Sequence, residues 1–264
     1  MQEKMKSEGK CFFCNKTFAK AGINRHLAVH LKEKVETGKP GKSFFVKMET
    51  DKRWGSSPYF LSLWVDGEAK MKDIDGFLRA IWLECCGHMS AFRNPKLERG
   101  GYGMFATLEA SDHLEQGNVA KYEKIMEEAA GEIPMSRKVK DALYNGLTLE
   151  YEYDFGSSTL LTLTVIDEYP IKADNKIVLL SRNEPLEITC CICKKVPATQ
   201  ICSICICDKD AEFCDKCAEK HSKKCSDFAD YASMQIVNSP RMGVCGYEGG
   251  IIDTERDRAI LLKK

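Results

Sequence analysis

The 264-residue chain has no long apolar run, and nothing in it approaches the roughly 18–20 consecutive apolar residues that a membrane-spanning helix needs. The opening residues, MQEKMKSEGK, are charged and lack the apolar stretch of an export signal, so the expectation is a cytoplasmic protein without membrane contact. Net charge is missing too. Thirty-nine Lys and Arg balance 39 Asp and Glu, which argues against a protein held on nucleic acid by bulk electrostatics. Three catalytic signatures are also absent: a Gly-rich phosphate loop, a GxSxG elbow and an HExxH helix. No substrate class is named by what remains.

Cysteine, by contrast, is abundant, with 14 residues. In a reducing compartment such a count means thiols rather than disulfides, and CxxC spacings there read as metal ligands. In CFFCNKTFAKAGINRHLAVH, Cys11 and Cys14 are followed by His26 and His30. The CxxC forms a chelating knuckle, and two His residues four apart project from one helix face, which makes a two-Cys/two-His zinc-finger pattern with Phe18 and Ile23 as its small core. Residues 1–42 hold ten Lys and Arg against four Asp and Glu. The helix positions that could read bases are about Ala19, Gly22 and Arg25, of which only Arg25 offers a base contact, so weak nucleic-acid binding is the most expected of it. The finger is assigned residues 1–32, and 33–42, with Gly38, Pro40 and Gly41, is read as a basic flexible linker.

A second cysteine-rich stretch, CCICKKVPATQICSICICDKDAEFCDKCAEKHSKKC, supplies four ligand pairs: Cys190 with Cys193, Cys202 with Cys205, Cys214 with Cys217, and His221 with Cys225. Eight ligands fill two tetrahedral sites. The even gaps predict a cross-brace in which the first and third pairs share one ion and the second and fourth another. This spacing resembles a B-box zinc finger, with Cys225 where the last ligand is often His. So polar a module of about 40 residues cannot fold on apolar burial alone, and metal must stabilise it. The expected cofactor is therefore zinc, three ions in all. Cys85, Cys86, His88 and Cys245 can be imagined as a further site, but they have no regular ligand spacing, and burial as a small hydrophobe explains Cys85 equally well.

Between the two zinc modules, residues 43–186 mix strand and helix signals. YFLSLWV alternates Tyr59, Leu61, Leu63 and Val65 onto one face, as a half-buried strand does. Ile74, Phe77, Leu78, Ile81, Trp82 and Cys85 form a helical apolar stripe, with Asp73 placed to cap its start and Gly87 its end. Further helices are expected at about 119–130 and just after Ser136. Strands are expected at about 147–155, 159–166 and 176–182, the first two joined through GSS as a hairpin. Without a strict βαβ rhythm the fold class is α+β. Glu150, Glu152 and Asp154 alternate along LEYEYDF, a pattern that reads as a solvated strand face and, as the competing view, as a Mg²⁺-binding face with His88 as base.

IWLECCGHMSAF, followed some sixty residues later by YEYDFGSSTLLTLTV, resembles the plasmid Ri ORF-three-like family, also described as insertion-element passenger proteins. The likeness spans about residues 44–185. Thr159 and Leu161 stand where many members carry Trp and His after YDFG. What the resemblance implies is an α+β fold and an association with mobile elements rather than an activity. The sequence as a whole thus reads as a finger (1–32), a linker (33–42), an α+β domain (43–186), a B-box-like cross-brace (187–227) and a Gly/Pro-containing loop and tail (228–264). Its expected role is a non-catalytic interaction or adaptor protein for a protein partner. A metal-dependent hydrolase or nuclease core targeted by the zinc modules is the alternative.

Overall fold

The computed structural model describes residues 7–50, 58–96, 104–129 and 131–257. The chain opens with a hairpin of β1 (Glu8–Lys10) and β2 (Thr17–Ala19), followed by α1 (Lys20–Val35). Then come β3 (Pro40–Thr50), β4 (Phe60–Asp66), α2 (Met71–Leu78) and β5 (Ser90–Arg93). Helices α3 (Met104–Glu115), α4 (Val119–Ala129) and α5 (Val139–Ala142) precede β6 (Thr148–Tyr153), β7 (Thr159–Ile171) and β8 (Ile177–Arg182). The last elements are β9 (Gln200–Cys202), β10 (Glu212–Phe213), α6 (Asp215–Ser222) and β11 (Ser233–Gln235). An α+β fold results, with β3–β8 forming one antiparallel sheet in the order β5-β6-β7-β3-β4-β8.

Alternation along the strands gives this sheet two apolar faces. Phe44, Val46, Met48, Leu61, Leu63 and Val65 point to one side, where Met71, Ile74, Leu78, Ile81 and Trp82 cover them. On the other side lie Phe45, Phe60 and Trp64, and here the covering element is α1, through Ile23, Leu27 and Leu31, all fully buried. β4 is consequently buried on both faces rather than half-buried. The difference has a visible cause, since Phe60 and Trp64 are apolar residues at the positions that alternation would leave to solvent.

The finger is thus part of the domain rather than a tethered module. The span 33–42, expected as a flexible linker, holds the last residues of α1 and the first of β3, with only a short turn between them. β1 also runs along the outer edge of β8: Glu184 N–H donates to Glu8 O at 2.7 Å and Phe12 N–H to Leu180 O at 3.0 Å. At that contact a side chain on Gly9 would meet the Phe60 ring at 2.5 Å, so only glycine fits. Covering β8 in this way removes an exposed sheet edge. Polar contacts complete the seam. Ser62 Oγ donates to Asn24 Oδ1 at 2.8 Å, and Glu49 pairs with Lys20 at 2.8 Å and Lys47 at 2.6 Å.

The helical stripe from Ile74 splits into α2 and a π-helical turn over Arg79–Leu83. Asp73 sits in the first turn instead of at the cap, its carboxylate accepting from Lys70 N–H at 2.7 Å. α4, α5, β6, β7 and β8 fall where the sequence placed them, β7 running on to Ile171, while β3, β5 and α3 went unanticipated. Beyond the sheet, β9, β10 and β11 form a small antiparallel sheet in the order β10-β9-β11. The tail then returns to the large domain. Asn238 bonds Asn183 at 2.7 Å, Ser239 Oγ donates to Trp82 O at 2.7 Å, and the fully buried Arg182 pairs with Asp257 and with Asp253.

Candidate metal centres

Cys11 and Cys14 lie on the turn between β1 and β2, where Asn15 takes a left-handed conformation (φ 60°) and donates its N–H to Cys11 O at 2.8 Å. The turn folds both thiols toward α1, on which His26 and His30 are one turn apart. His26 Nε2 is 3.2 Å from Cys14 Sγ and 3.2 Å from His30 Nε2. Both rings are held by packing, Phe18 stacking on His26 at 4.0 Å and Phe13 lying 5.2 Å from His30. His30 Nδ1 faces Glu33 at 3.4 Å, so the two Nε2 atoms are left to converge on the thiols.

The same knuckle recurs at Cys190 and Cys193, where Lys194 has φ 53° and donates to Cys190 O at 3.0 Å. Cys214 and Cys217 come from the start of α6, with Cys193 Sγ 3.9 Å from Cys214 Sγ. Cys202, at the end of β9, accepts from Cys205 N–H at 3.4 Å, and Cys205 Sγ lies 3.9 Å from Cys225 Sγ. His221 joins this second set from α6, four residues after Cys217 has joined the first. One short helix therefore carries ligands for both sets, the structural basis of the cross-brace. His221 Nε2 is buried without a hydrogen-bond partner, and its ring is clamped by Phe213 (4.3 Å) and Phe228 (4.9 Å).

Each set gathers its ligand atoms within 4.8 Å of one another: Cys11, Cys14, His26, His30; Cys190, Cys193, Cys214, Cys217; and Cys202, Cys205, His221, Cys225. Among the described residues a fourth set, Cys85, Cys86, His88 and Cys245, meets the same criterion. All the cysteines are free thiols. The electrostatics suit cation binding. Lys16 N–H is the main group lowering Cys14 to about 6. Burial works against the Cys190 thiolate, yet the N–H groups of Cys193, Cys214 and Ile192 bring its pKa down to about 6. Cys217 and Cys205 are raised to about 12 and about 11, by burial first and by neighbouring thiols second. Thiols this close cannot all ionise unless a cation lies among them. Cys191 and Cys207 stay outside the sets.

Two features differ from what sequence suggested. Asp154 does not share a solvated face with Glu150 and Glu152. β6 ends before it, and Asp154 (φ 65°) turns inward, is buried, and pairs with the fully buried Arg241 at 2.5 Å. Glu152 pairs with Arg93 at 2.5 Å and accepts from Ser158 at 2.5 Å. Asp154 and Glu152 are thus spent on separate partners rather than converged on one ion. Arg241 also donates to Ser157 O (3.0 Å) and Thr159 Oγ1 (2.9 Å), so the YDFG turn forms a receptor for a tail arginine. No motif marked Arg241; the only hint was an arginine beside a Pro-containing turn. Gly22 and Arg25 are exposed on α1, whereas Ala19, also exposed, ends β2 just before the helix begins.

No family model matches the chain, and no curated protein matches it. Among solved structures it is similar to a protein of unknown function from Methanosarcina mazei Go1, at 14% identity and a TM-score of 0.34, over 53% of this chain and 67% of that one. Among the described residues no helix is long and apolar enough to cross a membrane.

Proposed function

We propose that the chain is a non-catalytic zinc protein in which three structural ions rigidify surfaces for a protein partner. The observation that carries this reading is the completeness of the donor sets: each offers four Cys or His ligands from the chain itself. Soft thiolate and imidazole donors favour zinc, and four protein ligands leave no open position for a reacting water or substrate. Zinc–ligand lengths of about 2.0–2.3 Å imply tetrahedral edges of roughly 3.3 Å between two imidazole nitrogens and 3.8 Å between two sulfurs. The His26–His30 separation of 3.2 Å and the Cys193–Cys214 and Cys205–Cys225 separations of 3.9 Å fit those edges.

A protein partner is favoured by what the cross-brace exposes. Ile192, Val196 and Ile204, at or beside the knuckles, and Tyr231 are all exposed apolar or aromatic side chains. The finger's basic charge is meanwhile partly neutralised within the chain, by Lys20–Glu49, Lys34–Asp174 and Lys42–Glu168. An adaptor for a mobile-element protein fits the resemblance in the α+β domain, and B-box-like describes the ligand order of the cross-brace. Purification of the full chain from its own cells, followed by metal analysis and identification of what remains bound, tests the reading. At least three structural zinc ions and a protein partner support it. Co-purifying nucleic acid, or metal-dependent cleavage of nucleic acid lost in a Glu150→Gln/Glu152→Gln double variant, would overturn it.

A further inference from the structure

Cys85 and Cys86 follow the π-helical turn, His88 is two residues further on, and Cys245 arrives from the tail. Cys86 Sγ lies 3.8 Å from Cys85 Sγ and 3.7 Å from Cys245 Sγ, while His88 Nε2 is 2.9 Å from Cys86 Sγ and 3.3 Å from Cys245 Sγ. We propose that these four side chains form a fourth metal centre, which binds one zinc ion through three thiolates and an imidazole and staples the tail to the sheet domain. This goes beyond the three-ion reading and does not rest on it.

The sulfur separations match the roughly 3.8 Å edge of a zinc–thiolate tetrahedron. More telling is how many independent elements hold the ligands in place. Gly87, with φ 77°, turns the chain between Cys86 and His88, a conformation that other residues resist. Arg79 anchors the same loop, donating to His88 O at 2.6 Å and Ser90 Oγ at 2.9 Å. On the tail side Cys245 itself occupies the left-handed region (φ 51°), an uncommon place for a residue that is neither Gly nor Asn. Backbone strain of this kind persists where something holds the residue in place.

Three thiolates and a dication carry one net negative charge, and the Arg241 guanidinium, already paired with Asp154, donates to Cys85 Sγ at 3.5 Å, while Asp154 Oδ2 lies 3.5 Å from His88 Nε2. That is an outer-shell arrangement of the sort that orients metal ligands. Binding releases the thiol protons, and the four ligands leave no vacancy for chemistry, so the ion's role is mechanical. It joins residues 159 apart in sequence, near the point where Ile251 N–H donates to Ala80 O at 2.7 Å.

The test uses the full chain. Native mass spectrometry of wild type and Cys245→Ser should differ by one zinc ion, while the Cys14 and Cys214 centres report separately on the other three sites. Equal ion counts overturn the proposal. A second readout needs no variant. Cys86 and Cys245 are exposed, so the chelator-treated protein sets the rate at which these thiols react with iodoacetamide when no ion is bound. With the ion bound, their alkylation should be at least tenfold slower, and a chelator should restore it without any reductant. Fast alkylation before chelation, or release only by reductant, which would mean a Cys86–Cys245 disulfide, would overturn the assignment.

Discussion

The finger and the cross-brace are built from the same knuckle, yet the rest of the molecule supports them very differently. Around the finger, Ile23, Leu27 and Leu31 are buried against Phe45, Phe60 and Trp64, and β1 bonds along β8. The core of the cross-brace consists mostly of its own ligands, with Phe213, Phe228 and a few alanines. Apolar burial worth about 1.5–3 kcal/mol per large side chain supports the finger helix even without metal. In the cross-brace the comparable burial is a small cluster of Ala198, Ile201 and Ile236, less than the docked helix has. Similar ligand spacing therefore says little about how much a fold depends on its ion; what the helix packs against decides that.

The largest effect should come from removing the metal. Structural zinc is worth on the order of 10–16 kcal/mol in small finger peptides, so chelation should unfold residues 190–225 while the six-stranded sheet and much of α1 stay protected. Amide hydrogen exchange read by mass spectrometry distinguishes the regions. Because α6 carries both Cys217 and His221, Cys214→Ser should lose two ions, whereas Cys14→Ser should lose one and leave α1 docked. Equal loss of protection in both regions would erase the proposed contrast.

Next in size is the anchor that returns the tail to the domain. Asp154→Asn keeps the shape and tolerates the left-handed backbone, but it leaves Arg241 buried without a counter-charge. Breaking a buried pair this way costs roughly 4 kcal/mol. Denaturant unfolding of the variant should show that loss, and exchange should rise in residues 238–250 before it rises in the finger.

How much of this was legible beforehand depended on the range of the signal. The grouping of Cys190 with Cys214 and of Cys202 with His221 follows from local spacing, and so does the stripe through Ile74, Leu78 and Ile81. Docking of the finger was hidden, because Ile23, Leu27 and Leu31 make the same pattern whether a helix packs on its own hairpin or on a distant sheet. Asp154 was misplaced for a geometric reason: strand alternation predicts its face only while the strand continues, and a left-handed residue ends it. Cys245 lies far in sequence from Cys85 and Cys86, and no spacing rule spans such a gap.

Weakening the dock should bring the finger's behaviour closer to that of the cross-brace. Leu27→Ala removes a fully buried side chain at the seam, and about 3 kcal/mol is expected, within the usual range for such a truncation. Its α1 should now lose protection on chelation, with a red shift of Trp64 fluorescence. Glu49→Gln is a milder version, worth about 1 kcal/mol for a partly buried pair. Burial raises the Glu49 carboxyl, but Lys20 and Lys47 outweigh it and hold the pKa below the ordinary value. Its contribution is complete above that ordinary pKa and is lost as pH falls through the lower folded value. The variant should therefore be less stable at neutral pH and less sensitive to acid than wild type.

The smallest effect is expected on the finger's outer face. Arg25 is exposed, and an exposed substitution away from any special contact changes stability by less than about 0.5 kcal/mol. Any nucleic-acid affinity should be weak, should fall steeply with salt as bound counterions are released, and should drop for all sequences alike in Arg25→Ala, with the salt slope reduced by about 1. Ala19 and Gly22 offer nothing to read a base with, so Arg25 supplies charge rather than selection. Fluorescence anisotropy across a salt series, with a pool of duplexes as competitor, measures both quantities. A defined site preferred a thousandfold and abolished by Arg25→Ala would show instead that the docked finger reads sequence, and that its burial against the sheet serves to present α1 to a groove.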